Sequence, residues 1–226
     1  MNLPWNLSKF EAGLWAASTA AGIISWCAGG SGEPLPLIAS LVGAAALIFV
    51  AKGRVAGQLL TVLFAVLYGI ISLEQRYYGE MITYLGMSAP MAIAAAVAWA
   101  KNPAASGKEV AVAPPLTKAK LAILAISAAA VTAAFYFILR ALDTASLGFS
   151  TLSVTTSFLA AALTFLRSPY YALAYAANDV VLIVLWIIAA AGDPAALAMV
   201  ACFAAFLAND LYGFFNWKRM EKRQCA

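Results

Sequence analysis

The chain is built from eight continuous apolar runs, near residues 12–30, 34–51, 55–73, 78–99, 119–139, 149–166, 169–191 and 194–217. About 20 mostly apolar residues are needed for a helix to cross a bilayer, and backbone polar groups inside the hydrocarbon must be satisfied within the spanning structure. The runs are rich in Ala and Leu and lack the ten-residue alternation of barrel strands, which favours helices. With 64% hydrophobic and 11% charged residues, the composition is far from the roughly 25% charged usage of a soluble domain. The expected fold is an all-α integral membrane protein with about eight transmembrane helices. Only Lys9 precedes the first run as a basic residue, yet Trp15 and Trp26 fit a retained helix with interfacial aromatics better than a cleaved signal peptide.

Charge sorts the loops. With eight spans both chain ends share a side, and that side carries Lys9, Lys52, Arg54, Lys101, Lys108, Lys118, Lys120, Arg167, Lys218, Arg219, Lys222 and Arg223. The other side has Arg76 and Arg140, a split of 12 to 2. The positive-inside bias therefore assigns both termini to the cytoplasm. The acids Glu33, Glu74, Asp143 and Asp193 fall on the opposite side. Basic residues spread over short loops are explained by topology, so no nucleic-acid partner is expected; the bilayer is the partner.

Several chemistries are missing from the chain. It has no histidine, which removes Ser-His, Cys-His and His-ligated zinc sites together. Cys27, Cys202 and Cys225 are odd in number and lack metal-type spacing. No cofactor, metal or catalytic residue is expected, and an enzyme would have to rest on carboxylates, Lys, Tyr or Cys alone.

The longest break, KNPAASGKEVAVAPPLTKAK at 101–120, reads as a cytoplasmic linker between two groups of helices. Tyr68 matches Trp186 and Trp99 matches Trp217 at a common offset of 118, and Lys52 matches Arg167 after a three-residue adjustment. This weak internal repeat divides the chain into an N-terminal segment with an extra helix (1–33), a first three-helix repeat (34–100), a linker and connecting helix (101–148), a second repeat (149–217) and a basic tail (218–226). A single helix between the triplets restores the chain direction, so the repeats are parallel, a 3+1+3 core of the kind that places a substrate site where the halves meet.

Two Asn-Asp pairs interrupt the last two runs: Asn178-Asp179 in YYALAYAANDVVLIVLW and Asn209-Asp210 in FLANDLYGFFNW. Counted from the cytoplasmic ends at 1.5 Å per residue, they lie roughly 14 and 12 Å deep. A carboxylate at that depth turns from lipid toward the bundle interior and finds partners, and no intramembrane Lys or Arg is available to pair with these two. Neighbouring stripes add Tyr175 and Trp186 on the seventh run, Asn216 on the eighth, Gln58 and Tyr68 on the third, and Tyr84 on the fourth. Rings and amides together suit a ligand with one flat ring and one hydroxylated part. Thr61, Ser88 and STLSVTTS at 150–157 read as interhelical hydrogen bonds, and Trp99 and Trp217, beside Lys101 and Lys218, read as interfacial anchors.

RSPYYALAYAANDVVLIVLW (167–186), LANDLYGFFNWKRM (207–220) and GRVAGQLLTVLFAVLYGIISLEQRYYGEMI (53–82) resemble the PnuC family of nicotinamide riboside transporters, over about 34–220. The resemblance implies the 3+1+3 core with an N-terminal helix added, a vitamin-like substrate, and facilitated diffusion with trapping by a cytosolic kinase. It also implies a homotrimer in a bacterial inner membrane. The ligand would be held by Asn178, Asp179, Asn209, Asp210, Tyr175, Trp186, Gln58, Tyr68, Tyr84 and Asn216. Other readings are thiamine or riboflavin as substrate, proton coupling through Asp179 and Asp210, or a binding subunit of an ATP-driven importer.

Overall fold

The structure, a computed structural model, describes residues 7–29, 34–74, 78–144, 146–191 and 197–225. Glu33, Arg76 and Asp193, used above to sort the loops, lie outside the described residues. Each apolar run forms helix: α1 (Lys9–Gly29), α2 (Pro34–Ala51), α3 (Val55–Glu74), α4 (Tyr78–Thr83), α5 (Ala89–Ala100), α6 (Lys118–Ala141), α7 (Leu147–Phe165), α8 (Tyr171–Ala190) and α9 (Leu197–Gln224). Helices α4 and α5 are one span, joined through a π turn at Tyr84–Ser88. Pro90, at the start of α5, explains the turn: it has no N–H for the carbonyl four residues back, so the backbone slips by one residue there.

Among the described residues there are thus eight rods, and seven are long and apolar enough to cross a membrane. The exception is α1, which is 21 residues long but carries Lys9, Glu11, Ser18, Thr19 and Ser25. Helices α2, α3, α5, α7, α8 and α9 pack each against the next, and α9 returns to α2 to close a ring. The connecting helix α6 leans on α7 from outside, with Ile123, Ile126 and Phe137 each at least 65% exposed, as lipid contact requires. Helix α1 fills the groove between α2 and α9.

The two triplets hold each other by the same bond made twice. Trp99 Nε1, near the end of α5, donates to Thr164 O near the end of α7 at 2.9 Å, and Trp217 Nε1 on α9 donates to Val50 O near the end of α2 at 3.0 Å. Each carbonyl already accepts the N–H of the turn that follows, Arg167 and Gly53 respectively, and takes the indole on its second lone pair. Their rings are 5.3 Å apart and 1% and 0% exposed. The expectation that these indoles are interfacial anchors is therefore corrected. A donor-only N–H on a large apolar ring is what a buried helix end can best use.

The 101–117 segment is an ordered strap. Val110 N–H donates to Gly53 O at 2.9 Å and Ala113 N–H to Arg167 O at 3.0 Å, so the strap is pinned to the α2–α3 and α7–α8 turns alike. Gln224, at the end of α9, accepts from Val112 N–H at 2.7 Å and donates to Glu109 Oε1 and Val110 O, each at 3.1 Å. Thr117 ends the strap as the N-cap of α6, its hydroxyl accepting from Lys120 N–H.

Gly53 makes this junction possible. Its φ of +63° is a left-handed conformation, and a Cβ there would lie 2.6 Å from Met220 Cε. Gly53→Ala should lower unfolding stability by about 1–3 kcal/mol, the usual cost of a side chain in that region. Thermal unfolding of the purified protein checks this, and an unchanged transition would mean that the turn relaxes without strain.

Candidate functional site

The ring of helices encloses a cavity of about 80 Å³. Helix α8 contributes Tyr175, Asn178 and Asp179, α9 contributes Asp210 and Phe206, α3 contributes Gln58 and Phe64, and the π turn contributes Tyr84. The extra residue of the π turn changes which face of its span points inward, a common use of such turns at functional sites.

Aromatic clusters pack at both ends of the cavity. Toward the strap, Trp99, Tyr171 and Trp217 pack with Val50, Val110 and Met220, and Tyr171 stands 4.9 Å from Trp217. Toward the other end, Tyr68, Trp186, Phe203 and Phe206 form a second cluster with Phe64 and Tyr84 on its edge. The Tyr68 and Tyr84 centroids are 4.4 Å apart.

Three hydroxyls of α7 converge on one atom. Thr156, Ser157 and Ser153 donate to Asn178 Oδ1 at 2.8, 3.1 and 3.4 Å. Its carbonyl is committed to α7, so what Asn178 can offer a ligand is its amide N–H. The serine and threonine run thus supports the cavity from behind, in keeping with its reading as interhelical bonding, while Ser157 also reaches the lining. Thr61 and Ser88 line the cavity as well, and Thr61 donates to Gly57 O of its own helix at 2.9 Å.

Asp179 and Asp210 meet across the α8–α9 seam, both lining the cavity and each 4% exposed. Asp179 Oδ2 has no hydrogen-bond partner among the described residues. No Lys or Arg lines the cavity among the described residues either.

Six of the ten residues marked in the sequence therefore share this cavity: Gln58, Tyr84, Tyr175, Asn178, Asp179 and Asp210. Tyr68 and Trp186 stand in the aromatic cluster at one end and outside the lining. Asn209 faces α1, where its Nδ2 donates to Ser18 Oγ at 2.7 Å, and Asn216 Nδ2 donates to Ala51 O at 2.8 Å. The α2 wall carried no polar signal. Its Gly43 is needed for space, since a Cβ would lie 2.8 Å from Phe206 Cζ and 3.1 Å from Phe64 Cδ2. The only hint was the run of small residues Gly43-Ala44-Ala45-Ala46.

Residues 33–219 match the sequence model of a family described as nicotinamide mononucleotide transporter. A nicotinamide riboside transporter PnuC of Haemophilus influenzae is 28% identical over 190 residues, 84% of this chain and 81% of that protein. Another, from Neisseria mucosa, is 25% identical over 194 residues, 84% and 73% of the two chains. The crystal structure of a vitamin B3 transporter PnuC superposes with a TM-score of 0.82 at 22% identity, covering 96% of this chain and 94% of that one. That likeness establishes the fold.

Replacing Asn178 tests the support from α7. Interhelical hydrogen bonds in membranes contribute about 0.6 kcal/mol each, so Asn178→Leu, which removes the shared acceptor, should cost about 1–2 kcal/mol of stability. Thermal unfolding without ligand is the measurement. A transition equal to that of the unsubstituted protein would mean that the α7 hydroxyls need no acceptor on α8.

Proposed function

This chain belongs to the nicotinamide mononucleotide transporter family, and we propose that the molecule it carries is the dephosphorylated nucleoside, nicotinamide riboside. One observation supports this choice above others: the cavity holds the Asp179–Asp210 pair and no basic side chain among the described residues. A phosphate group would enter beside carboxylates with no Arg or Lys to receive it, leaving its charge unpaired in a desolvated site. The riboside instead brings a positively charged pyridinium ring, which a carboxylate of the Asp179–Asp210 pair would neutralise. Tyr84, Tyr175 and Phe64 offer ring faces to the cation, and the Asn178 and Gln58 amides meet the ribose hydroxyls. Thiamine shares the cationic ring but has no ribose, so the amides discriminate against it; riboflavin lacks the charge. A nucleoside is larger than the cavity of about 80 Å³, so its binding requires the lining to give way.

The transport mode that fits is uniport. A charge-matched site needs no further proton to load its substrate, and phosphorylation by a cytosolic kinase would keep the product from leaving by the same route, for the reason that excludes the mononucleotide. In this reading the strap, both termini and the basic loops face the cytoplasm, following the 12 to 2 split of basic residues.

Ligand-induced stabilisation separates the candidates. Nicotinamide riboside should raise the unfolding temperature of the purified protein, with nicotinamide mononucleotide, thiamine and riboflavin giving smaller shifts. Asp210→Asn should weaken riboside binding by about 10- to 100-fold, about 1.4–2.8 kcal/mol. Stronger stabilisation by the mononucleotide would overturn the assignment. In liposomes held at zero membrane potential, labelled riboside should reach equal concentrations inside and outside whatever the imposed pH gradient. Accumulation driven by an acidic exterior would show proton coupling instead.

A further inference from the structure

We propose that Ser18 and Glu11 of α1 are positioning residues for substrate binding: from behind α9 they fix the rotation of that helix about its own axis, and so aim Asp210 into the cavity. The proposal rests on the cavity as the riboside site. It assigns a role to a helix outside the family match, which begins at residue 33.

Helix geometry carries the argument. Successive residues turn by about 100°, so on α9 Phe206, Asp210, Gly213 and Trp217 fall on one side and Asn209 and Tyr212 on a flank roughly 110° away. The first group faces the ring interior: Phe206 and Asp210 line the cavity and Trp217 closes its end. The second group faces α1, and both of its polar side chains are bonded there. Asn209 Nδ2 donates to Ser18 Oγ at 2.7 Å, and Tyr212 OH donates to Glu11 Oε1 at 2.9 Å. Ser18 is prepared as an acceptor, because its own hydroxyl proton goes to Leu14 O at 2.9 Å.

Glu11 is itself held by two residues besides Tyr212. Ser8 N–H donates to its Oε2 and Glu11 N–H returns a bond to Ser8 Oγ, a capping box at the start of α1. Lys52 Nζ, in the turn after α2, donates to both carboxylate oxygens at 2.9 and 2.8 Å. The carboxylate is 4% exposed. Tyr212 is thus fastened to a group that α1 and the α2–α3 turn hold rigid. Two ties at different heights on one flank resist rotation, where a single tie would act as a pivot.

Neither Ser18 nor Tyr212 lines the cavity, so an effect on affinity would come through α9. Ser18→Ala and Tyr212→Phe remove one tie each. In titration calorimetry with nicotinamide riboside, each should weaken binding about threefold and the double variant about tenfold or more. Ser18→Thr keeps the hydroxyl and should keep the affinity. Gly22→Ala is the packing control: its Cβ would press on Ser40 Cβ at 3.1 Å, loosening α1 from α2 without touching either tie. It should lower the unfolding temperature and leave affinity unchanged.

A second readout does not depend on the substrate. With the three native cysteines changed to serine, a thiol placed by Asp210→Cys should react with a small water-soluble thiol reagent at a rate that shifts when both ties are removed. If the unsubstituted protein fails to bind the riboside, the transport reading falls, and the thiol rates alone decide the positioning claim. If the double variant binds like the unsubstituted protein, or the thiol rate does not move, α1 is only packing and the proposal is overturned.

Discussion

The structure depends on two indole N–H groups finding carbonyls at the ends of helices that belong to the opposite triplet. Trp99 reaches Thr164 O and Trp217 reaches Val50 O, with the rings in contact between them. In a membrane, helices gain little from burying apolar surface, because lipid is as apolar as a neighbouring helix, so packing and hydrogen bonds decide which arrangement persists. Two large rings that each close a buried bond across the seam supply both. They hold one end of the ring shut and determine which faces of α5 and α9 turn inward.

The cavity follows from that closure. With the ring fixed, α8 and α9 lay their carboxyl groups side by side in the space between the two aromatic clusters. A negative charge kept in such a place without a basic partner is costly. The polar groups around it, Gln58, Asn178 and the hydroxyls behind Asn178, lower that cost only in part. Under the riboside proposal, the cationic ring of the substrate would offset the rest.

Much of this was legible in the sequence, for identifiable reasons. Span length against bilayer thickness makes each rod readable, and a carboxylate deep in an apolar run has few places to go, so Asp179 and Asp210 announce an interior layer. Asn209 shows the limit. It sits next to Asp210 in the chain but about 100° away around the helix, and whether that flank meets cavity, lipid or another helix depends on where α1 packs. Trp99 and Trp217 were obscured by the lysines beside them, which suggested an interface where the chain in fact folds a strap over the bundle. Gly43 had nothing to announce it, because what it contributes is the room that Phe64 and Phe206 occupy.

The strap brings a last consequence, in the manner of opening. Its contacts to the two turns, through Val110 and Ala113, are three residues apart, and three residues of extended chain reach about 10 Å at most. Such a tether limits how far the two turns can separate while both bonds hold. The two turns cannot drift apart by degrees at this end; either both bonds hold or one is released, and the indole bonds beneath them share the strain. Movement at this mouth is therefore closer to a latch than to a hinge.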